Sequence, residues 1–129
     1  LTGTGDETRD FTYVLDLVQG LIKAAFYDEA IGKAFNLASG SETKIKDMIA
    51  MVNHSTGNSK PITQFPPRKW DTKKRLLASI ELAGKLIDYN PIISFEDGLN
   101  ENFKWFSNNW ATVQLSADFP VGMSSAVRK

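Results

Sequence analysis

The fold is decided by the stretch Gly3-Thr-Gly-Asp-Glu-Thr-Arg-Asp-Phe-Thr-Tyr-Val14, which leads directly into the apolar-rich segment Leu15–Phe26. The two glycines predict a turn, because glycine reaches positive φ angles without steric cost. Aromatic and β-branched residues at Phe11–Val14 predict a short strand. From Leu15 onward apolar residues recur every three or four positions, which predicts a helix with one apolar face.

Short strands and helices are predicted to alternate through the rest of the chain. Two further strands are predicted at Lys33–Leu37 and Pro61–Phe65. Three further helices are predicted: from about Ile45 to near Gly57, from Ser79 to before Pro91, and from Ser94 onward. The predicted fold class is α+β, a small mixed lobe of short strands with four amphipathic helices. So few strands do not form a large sheet by themselves, so we expect some to join or pack beside another domain.

The composition excludes several classes of function. At 129 residues the chain fits one domain, and its 15 basic residues balance its 15 acidic ones. A neutral total gives no long-range attraction to nucleic acid or to an anionic membrane. The absence of cysteine excludes disulfides and thiolate metal sites and suits a cytoplasmic protein. No carboxylate and histidine spacing predicts a metal site, and no apolar run is long enough to span a bilayer.

The segment Arg68–Arg75 is the sharpest local feature, with five cations and one carboxylate, Asp71, in eight residues. Arginine presents a planar fork that binds phosphate oxygens in pairs, and a carboxylate accepts hydrogen bonds from sugar hydroxyls. Two other interpretations stay open, a solvated basic loop and a nucleic-acid patch in which Trp70 stacks on a base. Arg9, at the entry to the first predicted strand, either reaches a cleft or forms a local ion pair.

These segments together resemble the substrate lobe of the extended short-chain dehydrogenase/reductase superfamily, specifically its nucleotide-sugar epimerases and dehydratases. The resemblance covers about residues 1–110 in the family's order and spacing. The chain matches the family pattern G-x-G-x-x-T-R-D-F/Y-x-x-V at Gly3–Val14, F-N-I/L-G-S/T-G at Phe35–Gly40 and P-x-R-P-G-D at Pro66–Asp71. It matches G-W-x-P at Asp88–Pro91 and E-x-G-L-x-x-x-x-x-W-F at Glu96–Phe106. The chain departs from these patterns at Ala38, Lys69-Trp70, Ser79 and Asp88-Tyr89.

The resemblance implies roles for three residues. Arg9 and Arg68 are expected to hold the nucleotide diphosphate, converging on one pyrophosphate-sized hollow, and Asp71 is expected to accept from a ribose hydroxyl. For Asp10, Asp16 and Asn36 we expect structural hydrogen bonds. No catalytic, cofactor-binding or metal-binding residue is expected in this chain. The family's NAD(P) is bound by a Rossmann domain that the chain lacks, and no tyrosine here is followed by lysine four residues on.

The resulting expectation is a substrate-binding fragment of a cytoplasmic NAD-dependent nucleotide-sugar epimerase or dehydratase, inactive alone. Residues 1–110 would form the nucleotide-sugar lobe, and residues 111–129 a flexible carboxyl-terminal extension. Its expected partners are a nucleotide-diphosphate sugar and the amino-terminal Rossmann domain, not nucleic acid or a membrane. The alternatives are a non-enzymatic module that binds nucleotide sugars and an interaction domain built on the basic loop.

Overall fold

A computed structural model describes residues 1–70 and 72–116 of the chain. The described elements, in chain order, are β1 (Thr8–Arg9), α1 (Val14–Phe26), a 3-10 turn (Asp28–Ala30), β2 (Thr43–Lys44), α2 (Ile45–Thr56), β3 (Arg75–Leu76), α3 (Glu81–Ile87) and α4 (Phe95–Ser116). Within the described residues there are four α-helices and one three-stranded mixed sheet. The predicted α+β class is confirmed.

The sheet has β1 at its centre, antiparallel to β2 on one side and parallel to β3 on the other. In this register Thr8 stands opposite Lys44 in β2 and opposite Arg75 in β3. Each strand has only two residues, so the backbone ladder supplies few hydrogen bonds. Side chains therefore have to contribute to holding the three strands in register.

Glu42, immediately before β2, links all three strands. Its carboxylate accepts hydrogen bonds from Arg75 Nε at 2.8 and 2.9 Å and from Arg75 Nη2 at 2.7 Å. It also accepts from the Thr8 hydroxyl at 2.6 Å. Forked contacts between arginine and a carboxylate fix orientation as well as charge. The Arg75 guanidinium, and next the Thr8 hydroxyl, hold the pKa of the Glu42 carboxyl below its ordinary value of 4.5.

Helix α1 turns its small and polar side toward the rest of the protein. Asp16 and Gly20 are its buried residues. The Asp16 carboxylate accepts from the backbone N–H groups of Ile92 at 3.1 Å and Ile93 at 3.0 Å, which fixes the chain between α3 and α4. The opposite side of α1 exposes an apolar stripe, defined here as Val14, Leu15, Val18, Leu21, Ile22 and Phe26, whose exposed fractions run from 40% to 82%.

The core is small and lies where α1 meets α3. Ala83, Ile87 and Tyr89 are at most 3% exposed. Partly buried apolar residues pack against them: Ala24, Ala30, Phe35, Leu37, Ile80 and Leu86. The Tyr89 hydroxyl donates to the Ala38 carbonyl at 3.0 Å. Burial raises the pKa of that hydroxyl, and the negative charges of Asp16 and Asp10 add to the effect, so the group stays a proton donor.

The predicted helix boundaries are confirmed where capping chemistry marks them. Helix α4 begins at Phe95, where the Ser94 hydroxyl accepts from the Asp97 backbone at 3.1 Å and donates to its carboxylate at 2.6 Å. Helix α2 ends at Thr56, and the next residue, Gly57, has the φ of 65° of the left-handed cap expected of glycine. Helix α4 crosses residue 110 and continues to Ser116. The expected flexible extension at 111–129 stays a prediction, and its residues 117–129 lie outside the described part of the chain.

Two of the three strand predictions are wrong, and in the third only one residue makes a strand-like bridge. At Phe11–Val14 the aromatic composition suggested a strand, but the Phe11 ring packs on Phe95 with ring centroids 4.9 Å apart. The strand is formed instead by the two residues of β1. Lys33–Leu37 is irregular, and no described segment pairs with it as a strand. In the predicted strand at 61–65, one residue, Phe65, forms an isolated bridge to Thr2.

Two helical glycines give a matched test of this packing. A Cβ atom at Gly20 would lie 2.8 Å from Leu37 Cδ2 and from the buried Tyr89 ring. Gly20→Ala should therefore destabilise the protein by about 1–3 kcal/mol through overpacking, despite the gain in helix propensity. At Gly84 the nearest atom would be the Tyr89 carbonyl oxygen at 3.6 Å, so Gly84→Ala should stabilise by about 0.5–1 kcal/mol. Urea unfolding measures both values, and equal shifts for the two variants would contradict the packing described.

The Glu42 linkage predicts a pH dependence of stability. Because the folded protein lowers the pKa of Glu42, its contribution is present above the ordinary value of 4.5 and is lost as the pH falls through the lowered value. Glu42→Gln should therefore be less stable than the original chain at neutral pH, and the difference should close in acid. Urea midpoints at a series of pH values measure this. Glu101→Gln, which breaks an exposed pair with Lys104 on one helix, is the control and should show a much smaller difference.

Candidate functional site

Arg9 lies on the central strand of the sheet and is partly buried. Its Nη1 atom donates to the Thr8 carbonyl at 2.7 Å. The side chain lines a cavity of about 540 Å³, here called the β1 cavity, whose lining is Arg9, Asp10, Thr12, Asn36, Leu37, Ala38, Leu76, Leu77 and Ala78. The central strand therefore places one of the two expected phosphate-binding arginines at the edge of a hollow.

Asp10 joins three segments around the β1 cavity. Its Oδ1 atom accepts from the Ser39 backbone at 2.9 Å and from the Ser39 hydroxyl at 2.5 Å. Its Oδ2 atom accepts from the backbone of Gly40 at 3.1 Å and of Ala78 at 3.4 Å. The structural role expected for Asp10 is confirmed, as it is for Asp16 and for Asn36, whose amide donates to the Ser79 carbonyl at 3.3 Å.

Arg68 lies in the exposed loop that precedes β3 and lines a different cavity. This cavity, here called the loop cavity, measures about 840 Å³ and is lined by Gly3, Thr4, Glu7, Gln64, Phe65, Pro66, Pro67, Arg68, Thr72 and Lys74. The amino-terminal turn holds the near side of the loop, since Gly3 N–H donates to the Phe65 carbonyl at 3.0 Å. The Gln64 amide donates back to the Gly3 carbonyl at 2.8 Å.

Glu7 brings a negative charge to the loop cavity beside Arg68 and Lys74. Its carboxylate accepts from the Gly5 backbone at 2.9 Å. Hydrogen bonds from backbone N–H groups, first its own and then that of Gly5, lower the pKa of the Glu7 carboxyl, so it is ionised at neutral pH. No motif in the sequence distinguishes Glu7, and its position follows only from the turn that carries it.

The basic segment is divided by the fold. Arg75 is held by Glu42 in the sheet, while Arg68 and Lys74 line the loop cavity. Asp71, the expected ribose partner, lies outside the described residues. The two cavities occupy successive positions along the paired strands, since Glu7 and Lys74 line the loop cavity and Arg9 and Leu76, two residues further on, line the β1 cavity. The convergence of Arg9 and Arg68 on one hollow stays a prediction.

Two further cavities are more apolar, and sequence reasoning did not identify them. One, of about 280 Å³, lies between the start of α1 and the start of α4 and includes the paired rings of Phe11 and Phe95. The other, of about 570 Å³, lies between α2 and α4 and includes Val52, Phe103 and Trp110. Both cavities contain aromatic residues of α4, Phe95 in the first and Phe103 and Trp110 in the second.

The described residues bear on three kinds of feature: a metal site, a membrane-spanning helix and a dinucleotide site. Among the described residues, no three histidine or acidic side chains lie close enough together to hold a metal ion. No helix in the described ranges is long and apolar enough to cross a membrane. A dinucleotide pyrophosphate binds where a glycine-rich turn leads from a strand into a helix. The positive-φ turn at Gly3 and Gly5 leads into β1 instead, so these residues do not fit NAD, and none is assigned to it.

Comparison with known proteins gives a consistent relationship. No family model matches the chain. It is 33% identical over 112 residues to the UDP-glucose 4-epimerase GEPI42 of Cyamopsis tetragonoloba. Its fold matches epimerase Mth375 of Methanothermobacter thermautotrophicus with a TM-score of 0.88 and 44% identity over 92% of the chain. It also matches the Bordetella bronchiseptica enzyme WbmF, solved in complex with NAD+ and UDP, with a TM-score of 0.72 and 34% identity over 86% of the chain.

The relationship covers most of this chain but only part of each relative. The aligned region is 84% of this chain and 31% of the Cyamopsis enzyme. The corresponding shares of the two solved chains are 35% and 32%. The chain therefore spans about one third of the length of the proteins that it matches. A decarboxylase is related as well, since the chain is 31% identical over 105 residues to UDP-glucuronic acid decarboxylase 1 of Danio rerio. The resemblance read from the sequence motifs is confirmed: over most of its length this chain is homologous to one portion of the UDP-sugar epimerases and decarboxylases of the extended short-chain dehydrogenase/reductase family.

Proposed function

We propose that this chain is the nucleotide-diphosphate-holding part of an NAD-dependent UDP-sugar epimerase, dehydratase or decarboxylase. The observation that carries the proposal is the fold match to WbmF, an enzyme solved with NAD+ and UDP. Arg9, Arg68 and Lys74 line cavities along the β1–β3 pair and supply the positive charge that a diphosphate needs. Asp71 completes the proposed set as the acceptor for a ribose hydroxyl.

The role of this part is positioning. Two guanidinium groups neutralise a diphosphate, and a fixed nucleotide holds the attached sugar where a hydride acceptor can reach it. NAD supplies the redox chemistry, and its site belongs to a part of the parent enzyme outside these residues. The chain also lacks the tyrosine–lysine pair of the family's acid–base chemistry, so by itself it binds weakly and does not turn over substrate. We place the parent enzyme in the cytoplasm.

The apolar stripe on α1 supports a second part of the proposal. Its six side chains are 40% to 82% exposed, although their spacing is that of a buried helix face. The relatives are about three times as long as this chain, so a parent enzyme has ample further chain to cover the stripe. In the proposed parent, the dinucleotide-binding domain packs on this stripe.

A non-enzymatic module that binds nucleotide sugars is the alternative that retains these observations. It predicts the same cavities and the same binding of UDP. It differs in one respect, because a full-length protein of this kind would bind UDP-sugar but would not exchange hydride with NAD. A spectrophotometric assay for transient NADH on the full-length protein separates the two functions.

Substitution at Arg68 tests the diphosphate role directly. Arg68→Ala should weaken UDP binding by about tenfold, because a charge-assisted forked contact is lost. Lys69→Ala removes the same charge from the adjacent position, which does not line the loop cavity, so it should change the affinity by about twofold at most. NMR titration of the labelled chain with UDP in the millimolar range measures both. Equal losses in the two variants would show that UDP senses only the net charge of the loop.

Substitution on the stripe tests the docking face. The double variant Leu15→Ser/Ile22→Ser should change the stability of this chain by about 1 kcal/mol at most, because both side chains are already more than half exposed. It should also reduce any self-association seen by sedimentation velocity. Ile87→Ala, at a fully buried position, should cost about 2–5 kcal/mol and serves as the reference. A loss as large for the double variant would place the stripe in the chain's own core.

A further inference from the structure

Among the described residues, the hydrogen-bond neighbours of the Asp10 carboxylate are all donors. Oδ1 receives the backbone and hydroxyl of Ser39, and Oδ2 receives the backbones of Gly40 and Ala78. An amide in this place would present an NH2 group to two of those donors, and NH2 cannot accept a hydrogen bond. The four donors therefore require a carboxylate at this position, where asparagine would fit the space but not the bonding.

These contacts act on the walls of the β1 cavity, which Arg9 and Asp10 both line. The bond from Ala78 fixes the end of the segment that follows β3, and the bonds from Ser39 and Gly40 fix the turn that follows Asn36–Ala38. The same turn is held from its other side, since the Tyr89 hydroxyl donates to the Ala38 carbonyl. One carboxylate thus joins three walls of the cavity.

Arg9 is fixed by its neighbours on both sides along the chain. On the amino-terminal side, Thr8 is paired with β3 and with β2. On the carboxyl-terminal side, the next residue is Asp10, whose side chain is tied to segments 29 to 68 residues away. An arginine that grips a diphosphate gains most when its backbone is held before the ligand arrives, because less freedom is lost on binding.

We infer that Asp10 is a positioning residue for diphosphate recognition, acting through Arg9. The inference rests on the proposed function and adds to it a residue that contacts no ligand. It predicts an effect confined to the phosphate end of the nucleotide. A merely structural role would weaken the binding of every part of the nucleotide alike.

The test compares UDP with uridine on the same labelled chain. Asp10→Asn should weaken UDP binding by about fivefold to tenfold, because a preorganised charged contact is loosened, and should leave uridine binding within about twofold. In an Arg9→Ala background, Asp10→Asn should have little further effect on UDP, since residues that act as a unit are not additive. NMR titration in the millimolar range measures the affinities and shows from the spectrum whether each variant is folded.

Asp16→Asn is the matched control. Asp16 also accepts two backbone hydrogen bonds, from Ile92 and Ile93, but these lie away from the β1 cavity. The Asp16→Asn variant should be less stable than the original chain but should keep the same ratio of UDP affinity to uridine affinity. If Asp10→Asn does not fold, Ser39→Ala removes one donor from the same carboxylate and should lower that ratio by a smaller factor.

The outcomes separate this inference from the proposed function. Equal losses for UDP and uridine in Asp10→Asn, or an undiminished loss in the Arg9→Ala background, would overturn the positioning role and leave the diphosphate site standing. The same ratio in Asp10→Asn and Asp16→Asn would overturn it as well. If the unaltered chain binds UDP no better than uridine, the proposed diphosphate site fails and the inference fails with it.

Discussion

The carboxylate of Asp10 is the constraint on which the geometry of this molecule depends. Within the described residues, each strand has two residues, and the core cluster consists of Ala83, Ile87 and Tyr89 with partly buried neighbours. In such a fold neither a long hydrogen-bonded ladder nor a large apolar core fixes how the segments meet. Asp10 performs that task by accepting from segments on both sides of β1. Two other carboxylates act in the same way, Asp16 near the start of α1 and Glu42 beside the sheet, because each accepts hydrogen bonds from a distant segment.

The helices could be predicted from the sequence because their signals are local. The spacing of apolar residues, the Ser94–Asp97 start signal and the glycine after α2 each act within one or two turns of the chain. The strands could not be located this way, because a strand exists only where a partner lies beside it. Phe11–Val14 has strand-like composition, but its Phe11 ring packs on Phe95, while Thr8–Arg9, which has no aromatic residue, finds partners on both sides.

The residues of the candidate site also divide into those with a local sequence signal and those placed only by contacts between distant segments. Arg9 and Arg68 were identified from motifs, and the structure places each of them in the lining of a cavity. Glu7 lines the loop cavity without any signal in the sequence, because its position depends on how the amino-terminal turn meets a loop about sixty residues later. The pairing of Arg75 with Glu42 was equally hidden, and it removes one cation from a segment that reads as uniformly basic.

The departures from the family pattern are accommodated by specific contacts. Asp88 stands where the pattern has glycine and adopts a φ of 51°, the only positive value at a described non-glycine residue. Aspartate tolerates this conformation better than most residues, and Lys23 both donates to its backbone carbonyl and pairs with its carboxylate at 3.5 Å. Tyr89 stands where the pattern has tryptophan, and its hydroxyl donates to the Ala38 carbonyl. Ala38 is itself a departure, because the pattern has glycine there. Two departures separated by about fifty residues thus meet in one hydrogen bond beside the β1 cavity. The altered positions therefore contribute directly to one wall of the proposed site.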